Sequence, residues 1–257
     1  MRIEASFRSE KDVLLPVAHN HLVQALIYNH IDEKLANFLH DEGFVVGKRH
    51  FKLFTFSRLS GKVSFISKLK KFKIESPFGL VISSPVESFL PSLAENFLRK
   101  ENLNLNGSKI FVDSINVHGT PSFDSEVEIK MLSPMTVYST LETKDGRKKT
   151  YYYKPFEDEF SELIKQNLLK KYRAFYKQEP KDLNFSIAPI GITSKHRKIV
   201  DYKGLVIEGW MGKYKLEGNP ELIKLGYDTG LGAKNSQGFG CFETAGKGNR
   251  NFGKVSI

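Results

Sequence analysis

Glycines crowd one short segment near the carboxyl-terminal end of the sequence, and they constrain the backbone more than any other feature of the chain. Five of them fall within fifteen residues, between an apolar helical segment and an apolar strand-like segment: Gly226, Gly230, Gly232, Gly238 and Gly240. Because glycine tolerates positive φ angles and close approach by other atoms, the segment is predicted to turn sharply or to pack closely against a neighbour.

The same segment has the chemistry of an anion-binding turn. Backbone N–H groups left free by a glycine-rich turn bind anions, and the residues between the glycines add a charge and short polar donors. The spacing is neither that of a P-loop nor that of a dinucleotide fingerprint. A phosphate-rich ligand is therefore predicted, with a glycine loop that binds nothing as the alternative. The candidate binding residues are Gly230, Gly232, Lys234, Asn235, Ser236 and Gly238.

The charge of the chain also favours a polyanionic partner. Among 257 residues, 39 are Lys or Arg and 29 are Asp or Glu, which gives a net charge of +10. Nucleic acid is the first partner that such a balance suggests. The single cysteine, Cys241, excludes an internal disulfide and favours a reducing compartment. The sequence shows no signal peptide and no apolar run near the ~18 residues of a membrane span, so a cytoplasmic protein without membrane contact is predicted.

Periodic apolar residues in the first half predict the element order β-α-β-β-α-β with an inserted basic hairpin. Residues 2–7 alternate with period two, as in a half-buried strand. A helix at 21–29 is followed by a second helix at 33–42, for which Asp32 is the predicted N-cap and Gly43 the stop signal. The other predicted elements are strands at 51–59, 63–66, 78–83 and 109–117 and a helix at 85–100.

A comparable order recurs in the second half. The predicted elements are a long strand at 126–139, a charged hairpin tip at 144–149 with Asp145-Gly146 as its turn, a helix at 156–176, strands at 185–192 and 204–210, a short helix at 220–225 and a closing strand at 238–243. Two tandem ferredoxin-like (RRM-like) domains explain this order, so the predicted class is α+β with the glycine-rich loop before the last strand. The seam at Gly119-Thr120-Pro121 divides the chain into domains 1–120 and 121–257.

Several short motifs give the chain a resemblance to a known family. They are Leu26-Ile-Tyr-Asn29, Leu39-His40, Lys52-Leu-Phe-Thr-Phe-Ser57 and Gly230-Leu-Gly-Ala-Lys-Asn-Ser-Gln-Gly-Phe-Gly240. Together with the tandem fold, they resemble the RAMP superfamily of CRISPR systems, and within it the endoribonucleases that process CRISPR repeats. The resemblance covers essentially the whole chain. It implies a metal-independent nuclease without a cofactor, which cuts the repeats of CRISPR precursor RNA to release guide RNAs.

The resemblance also implies the partners of the chain. CRISPR repeat RNA is the expected substrate. The alternative function is that of a catalytically silent RNA-binding subunit, whose partners are the other subunits of a CRISPR effector complex. Monomer and homodimer both stay open as oligomeric states.

Metal-independent cleavage of RNA requires the 2′-hydroxyl to attack the adjacent phosphorus, assisted by a base, an acid and a cation. By the resemblance, Tyr28, His40 and Lys52 match the family's positions for these roles. It implies His40 as proton donor, Tyr28 as acceptor or orienting group and Lys52 as the cation, while the reverse role for His40 stays open. His50 is the alternative histidine. The predicted products carry 2′,3′-cyclic phosphate and 5′-hydroxyl ends.

Basic and aromatic residues alternate in several runs, a mixture that suits contacts to RNA phosphates and stacking on unpaired bases. The runs are Lys48-Arg49 with Lys52, residues 68–73, residues 147–149 followed by tyrosines at 151–153, and residues 195–198. Lys48, Arg49 and Arg58 are the predicted RNA contacts outside the glycine-rich segment. For any single run the alternative is a solvated surface. His19 and His21 are spaced like a metal pair but lack further ligands nearby, so no metal site is predicted.

Overall fold

The structure is a computed structural model that describes residues 1–119, 121–142 and 145–245, together with the backbone of residues 254–255. The strands and α-helices of its first half are β1 (Arg2–Ser9), β2 (Val13–Pro16), α1 (Asn20–Tyr28), α2 (Glu33–Asp41), β3 (Phe44–Val46), β4 (Arg49–Phe51), β5 (Thr55–Phe56), β6 (Ser60–Ile66), β7 (Lys71–Ser83), α3 (Phe89–Arg99), β8 (Leu103–Leu105) and β9 (Ser108–His118). Strands β9, β1 and β7 form the centre of an antiparallel sheet, and β2, β5 and β6 also pair with β7.

Alternation along β1 places its apolar side chains on one face of this sheet. Ile3, Ala5 and Phe7 are buried in one core with apolar residues of α1 and α3. The ring of Phe7 meets Phe97 of α3 edge-on, with 5.7 Å between the ring centroids. Burial of such a side chain contributes ~1.5–3 kcal/mol to the stability of the fold, so the packing of this apolar face stabilises the helices against the sheet.

The first two helices are separate and not one continuous helix, as the sequence predicts. Helix α1 ends at Tyr28, and Asp32 caps α2 because its Oδ1 accepts a hydrogen bond from the backbone N–H of Leu35 at 3.0 Å. Gly43 follows α2 with a φ angle of 67° and donates its N–H to the carbonyl of Phe38 at 2.7 Å. This left-handed glycine ends the helix.

The second half repeats the arrangement. Its elements are β10 (Glu126–Met131), β11 (Tyr138–Glu142), β12 (Lys148–Tyr152), α4 (Asp158–Tyr176), β13 (Phe185–Ile190), β14 (Arg197–Tyr202), β15 (Leu205–Trp210), β16 (Lys213–Gly218), α5 (Pro220–Thr229) and β17 (Phe242–Thr244). Strands β13, β16, β10 and β17 form a four-stranded antiparallel sheet in that order. A second core, separate from that of the first half, lies against it.

Both sheets have the strand order of a ferredoxin-like fold, in which the first strand lies between the last strand and the third. In the first half these are β9, β1 and β7, and in the second half they are β17, β10 and β16. The predicted α+β class with two tandem ferredoxin-like domains is confirmed. The backbone of a further short strand, β18 (Lys254–Val255), pairs with β9 at the edge of the first sheet.

The strand predicted at 126–139 is too long. It ends at Met131, and the next two residues, Leu132 and Ser133, donate their N–H groups to the carbonyl of Cys241 at 2.7 and 3.1 Å. Thr136 then forms an isolated bridge with Ala233. The chain leaves the sheet because its backbone pairs with the glycine-rich segment instead.

The strand predicted at 204–210 does not belong to the four-stranded sheet. It pairs with β14 in a separate hairpin, β14–β15, whose tight turn has Gly204 at a φ angle of 81°. The third strand of the sheet is β16, which the sequence analysis missed. The prediction chose the wrong one of two neighbouring apolar runs because alternation alone does not tell an inserted hairpin from a sheet strand.

Several other boundaries differ from the prediction. The strand predicted at 51–59 is two short strands, β4 and β5, because Leu53 between them adopts a φ angle of 50°. The basic run at 68–73 begins in the turn between the long strands β6 and β7 and continues into β7, which starts at Lys71. Thr120 of the predicted seam and Lys144 of the predicted hairpin lie outside the described residues. Within the part of the chain that the structure describes, no helix combines the length and apolar character needed to cross a bilayer.

The two halves contact each other through buried polar groups. Arg2 of β1 donates from Nη1 to the carbonyl of Phe242 at 2.7 Å and from Nη2 to the carbonyl of Tyr227 at 2.9 Å. Its guanidinium also lies 3.5 Å from the centroid of the Tyr227 ring. The hydroxyl of Ser83 donates to the same Tyr227 carbonyl at 3.0 Å. These bonds hold β1 and β7 of the first sheet against α5 and β17 of the second half.

Candidate nucleic-acid interface and active site

A cleft of about 370 Å³ lies between the two halves. Its walls are the segment from β4 to Phe54, one face of α4, the start of β11 and the glycine-rich segment. Five of the described residues that line it carry basic side chains and none is acidic; the basic ones are Arg49, Lys52, Lys170, Lys171 and Lys234. Such a concentration of one sign of charge attracts a polyanion.

The glycine-rich segment is packed closely against its neighbours. Gly232 and Gly238 have φ angles of 68° and 85°, a conformation that side chains rarely adopt. A Cβ on Gly238 would lie 2.6 Å from the ring of Phe56 and 2.8 Å from Nδ2 of Asn20, both in the first half. A Cβ on Gly232 would meet the carbonyl oxygen of Thr136. The segment therefore closes on the first half of the chain and on the start of β11.

A buried lysine of α4 holds the glycine-rich segment from inside. Nζ of Lys171 donates to the carbonyl of Gly230 and to Oδ1 of Asn235, both at 2.7 Å, and to the carbonyl of Gly232 at 3.3 Å. Burial lowers the pKa of Lys171 to about 7. The sequence analysis missed this residue, although it follows Leu168 by three positions and so lies on the apolar stripe of α4.

Side chains of the first half bind the other side of this segment. Asn20 donates from Nδ2 to the carbonyl of Gln237 at 2.8 Å, and Gln24 donates from Nε2 to the carbonyl of Ser236 at 2.7 Å. The hydroxyl of Thr55 donates to the carbonyl of Phe239 at 3.0 Å. The loop is thus fixed between α1, β5 and α4.

The predicted binding residues of this segment have different surroundings. Asn235 is buried and donates its amide to the carbonyls of Leu231 and Phe239, both at 3.0 Å. Lys234 is half-buried, burial lowers its pKa, and its Nζ lies 5.2 Å from the centroid of the Tyr138 ring. Ser236 is half-buried in the cleft wall. Lys234 is the residue of the segment that brings charge to the cleft.

Lys52 is the one predicted catalytic residue among those that line the cleft. Its Nζ donates to the backbone carbonyl of His40 at 2.7 Å. Burial lowers the pKa of Lys52, and the nearby Asp41 carboxylate partly opposes this shift. The amine therefore lies at the point where the end of α2 meets the cleft.

The two candidate histidines differ in their relation to the cleft. His40 is exposed in the last turn of α2, and its Nδ1 lies 2.8 Å from Oδ1 of Asp41. His50 lines the cleft, and its Nδ1 lies 2.8 Å from the carbonyl oxygen of Glu42. Because a carbonyl or carboxylate oxygen accepts, these partners assign the proton of each neutral ring to Nδ1 and leave Nε2 to exchange protons.

Tyr28 lies at the end of α1, behind the cleft lining. Its ring meets Phe54 edge-on, with 5.6 Å between centroids, and Phe54 itself lines the cleft. Burial, with a smaller contribution from Tyr202, raises the pKa of Tyr28 to about 12. The structure thus separates Tyr28 from the basic lining by one aromatic side chain.

The remaining predicted contacts lie at different distances from the cleft. Arg49 is exposed and lines it, and Lys48 precedes Arg49 in the exposed turn between β3 and β4. Arg58 is exposed between β5 and β6, and its backbone N–H donates to the carbonyl of Leu132 in the second half at 3.0 Å. Gly230 and Gly238 are buried behind the lining. Within residues 1–119, 121–142 and 145–245, no three His, Cys, Asp or Glu side chains are placed to hold a metal ion.

Two tandem ferredoxin-like domains with a glycine-rich loop before the last strand, and with a basic cleft between them, define the RAMP class of protein. Family models agree: that of the N-terminal part of the CRISPR-associated protein Cas6 matches residues 14–116, and that of the C-terminal part of Cas6 matches residues 118–244. The CRISPR-associated endoribonuclease Cas6 1 of Methanocaldococcus jannaschii is 32% identical over 243 residues, which cover 93% of this chain and 91% of the relative. The chain belongs to the Cas6 family, and the resemblance found in the sequence is confirmed.

Solved structures share the fold over nearly the whole chain. A CRISPR-associated protein Cas6 superposes with a TM-score of 0.77 and 29% identity, covering 95% of this chain and 98% of the other. A structure described as a RAMP protein binding different RNA substrates gives a TM-score of 0.80 at 23% identity, covering 95% and 99%. The second likeness is one of fold alone.

Proposed function

We propose that this chain is an endoribonuclease that cuts CRISPR precursor RNA within its repeats. The observation that carries the proposal is the cleft between the halves, whose lining has five basic side chains, among them Lys52, and no acidic one. An RNA backbone in this cleft would have its phosphates beside Lys52 and Lys234, which belong to two different walls. The name of the Methanocaldococcus jannaschii relative supports the same activity.

The proposed chemistry is attack of the 2′-hydroxyl on the adjacent phosphorus, with release of the 5′-oxygen and formation of 2′,3′-cyclic phosphate and 5′-hydroxyl ends. Lys52 stabilises the charge that develops on the phosphate oxygens. His40 donates the proton to the leaving oxygen, with His50 as the alternative because it lines the cleft. Tyr28 serves as an orienting hydrogen-bond donor, since a phenol with a pKa of about 12 is a poor proton acceptor near neutral pH.

Incubation of repeat-containing RNA with the protein in EDTA tests this proposal. We expect cleavage at one position within the repeat, with a 2′,3′-cyclic phosphate on the upstream product. A single 2′-deoxy substitution at the cleaved linkage should stop the reaction and leave binding intact, because it removes the nucleophile and no phosphate. Cleavage of the deoxy substrate, or a strict requirement for Mg²⁺, would overturn the mechanism.

The second candidate function is that of a catalytically silent RNA-binding subunit of a CRISPR effector complex. Two features favour it: Tyr28 lies behind Phe54, and the imidazole of His40 is 80% exposed. In that case the parent protein binds repeat RNA in the same assay and leaves it intact. The proposal also includes effector-complex subunits as partners, a monomeric or homodimeric state and a cytoplasmic location. Copurification tests the partners, and size measurements test the oligomeric state.

We also propose that residues 1–120 and 121–257 are the two domains, with the candidate catalytic residues in the first and the glycine-rich loop in the second. In support, the first sheet takes its long strands from residues up to His118, and the second sheet takes its strands from Glu126 to Thr244. Separate expression of the two parts, followed by circular dichroism, tests whether each folds alone.

A further inference from the structure

A second concavity, of about 620 Å³, lies wholly in the second half of the chain. It is lined by strand β12, hairpin β14–β15 with the residue Ser194 before it, and the segment that leads into α4. Four aromatic side chains contribute to its wall: Tyr151, Tyr152, Phe156 and Trp210. It shares no lining residue with the cleft between the halves.

One of these rings, that of Phe156, is exposed to solvent and also packs against a neighbouring ring. The side chain of Phe156 is 59% exposed, while Trp210 supports it edge-on with 6.1 Å between centroids. Tyr151, beside it, is 38% exposed. Exposed, supported rings of this kind provide stacking surfaces for unpaired bases.

The rim of this concavity is basic. Two basic side chains line it, Lys154 and Arg197, and they belong to segments 148–154 and 194–198, which together contain six Lys or Arg residues and no Asp or Glu. One carboxylate, that of Glu208, also lines it. The nearest carboxylates already have partners. Glu208 accepts from Arg197 at 2.6 Å, and Glu157 accepts from the hydroxyl of Tyr151 and the backbone N–H of Lys154, both at 2.5 Å. The mixture of rings and cations matches the bases and phosphates of a single RNA strand.

An aromatic pair connects this concavity with the cleft. Tyr138 lines the cleft, and Tyr152, directly opposite it in the register of β11 and β12, lines the concavity. Their ring centroids are 5.7 Å apart, and Nζ of Lys234 lies 5.2 Å from the centroid of the Tyr138 ring. Lys234, Tyr138 and Tyr152 thus connect the glycine-rich segment with the concavity that Phe156 also lines.

We propose that this concavity is a second RNA subsite, which binds unpaired nucleotides of the same strand that occupies the cleft. One base stacks on Phe156 and Tyr151, and the flanking phosphates lie near Lys154 and the basic rim. The inference rests on the proposed function, because it takes the cleft as the place where the strand begins its path. Stacking on rings is tolerant of sequence, so the subsite adds affinity for a flanking segment without reading its bases.

The test uses a repeat RNA that carries a 2′-deoxy group at the cleaved linkage and 2-aminopurine at one unpaired position at a time, on both sides of that linkage. Stacking on an aromatic side chain changes 2-aminopurine fluorescence. We expect a change at one or two neighbouring positions with the parent protein, and its loss with Phe156→Ala. The dissociation constant should rise by about 5-fold to 150-fold, the range for loss of one stacked base. Cleavage of the unmodified RNA at saturating protein should be unchanged.

Phe65→Ala is the matched control, because Phe65 is also an exposed phenylalanine, at 51%, but lies on β6 in the first half. It should leave the fluorescence change at those positions intact. Lys154→Ala should make the slope of log K against log[salt] shallower by about 0.7, as expected for the loss of one phosphate contact to a single strand. Thermal melting checks that each variant stays folded.

The outcomes separate this inference from the proposed function. If the parent protein neither binds nor cuts repeat RNA, both fail. If the parent binds the RNA and Phe156→Ala keeps the same affinity and the same fluorescence change, the subsite alone is overturned. Loss of the signal in Phe156→Ala with normal cleavage at saturation supports the subsite.

Discussion

Burial shifts the pKa values of individual side chains around the cleft in opposite directions. Burial raises the pKa of Tyr28 to about 12 and lowers the pKa of Lys52. Both shifts favour the uncharged form, as desolvation does for an acid and for a base alike. Tyr28 therefore keeps its proton near neutral pH and acts through hydrogen bonds and not as a base, whereas Lys52 gives up its proton more readily than a lysine in water.

Tyr28→Phe should slow single-turnover cleavage without changing the shape of the pH–rate profile near neutral pH. A phenol with a pKa of about 12 does not titrate there, so its removal deletes a hydrogen bond and no titrating group. Stability should respond at high pH: the unfolded phenol, with a pKa of about 10, loses its proton first, so the free energy of unfolding falls with pH between about 10 and 12. Urea titrations at several pH values measure this slope, which Tyr28→Phe should reduce.

A limb of the pH–rate profile that disappears in Tyr28→Phe would show that Tyr28 exchanges protons after all. Tyr176→Phe is the control, because Tyr176 is exposed at the end of α4 and does not line the cleft.

The two histidines beside Lys52 offer a direct comparison. His40→Ala should slow single-turnover cleavage by about 10²- to 10⁴-fold, the usual contribution of a positioned acid or base, and should change RNA affinity little. His50→Ala, measured in the same assay, should have a smaller effect on the rate at saturating protein. If His50→Ala is the severe change and His40→Ala the mild one, the proton donor is the histidine that lines the cleft.

At the scale of elements, the glycine-rich segment depends on α4. The buried Nζ of Lys171 donates three hydrogen bonds to this segment: to the carbonyls of Gly230 and Gly232 and to Oδ1 of Asn235. A loop whose carbonyls face inward is shaped before any ligand arrives. Its wall of the cleft, with Lys234, is thus presented by the packing of α4.

Lys171→Met should lower stability by about 2–4 kcal/mol, because it leaves buried carbonyl groups without a donor. For a protein of this size the corresponding decrease in Tm is about 5–10 °C. Lys170→Met is the matched control, since Lys170 is the neighbouring residue, carries the same charge, lines the cleft and is only half-buried. We expect Lys170→Met to weaken RNA binding and to leave Tm nearly unchanged. Equal melting temperatures for the two variants would show that the hydrogen bonds of Lys171 do not stabilise the fold.

At the scale of the whole molecule, one arginine joins the first strand to the second half. Arg2 is 3% exposed, donates to two carbonyls across the boundary and stacks on Tyr227. Because the cleft has walls from both halves, its width depends on how firmly they are joined.

Arg2→Met should therefore lower Tm by about 4–8 °C, as expected for loss of charge-assisted hydrogen bonds to two buried carbonyls. Differential scanning calorimetry should also show a broader transition, because the halves lose part of their coupling. Arg8→Met, on the same strand, is the control: the Arg8 side chain is 68% exposed and pairs with Asp113. Exposed pairs contribute little, about 0–1 kcal/mol, so a large effect of Arg8→Met would contradict this account.

Local patterns in the sequence predicted the elements around the site because they depend on near neighbours. Alternation predicted β1, the apolar stripe predicted α4, and Asp32 with Gly43 predicted the ends of α2. The same reasoning misjudged β15 and missed β16, since two adjacent apolar runs compete for one place in a sheet and only the final packing selects between them.

The sequence by itself determined the tandem fold, the Cas6 family and the glycine-rich segment, because each depends on local periodicity or on a short motif. Only the tertiary structure decided that Lys171 holds this segment, that Tyr28 lies behind Phe54, and that Lys154 and Arg197 line one concavity. These groups are far apart along the chain or separated by burial, and no local pattern encodes their distances. They come together because each half folds around its own apolar core.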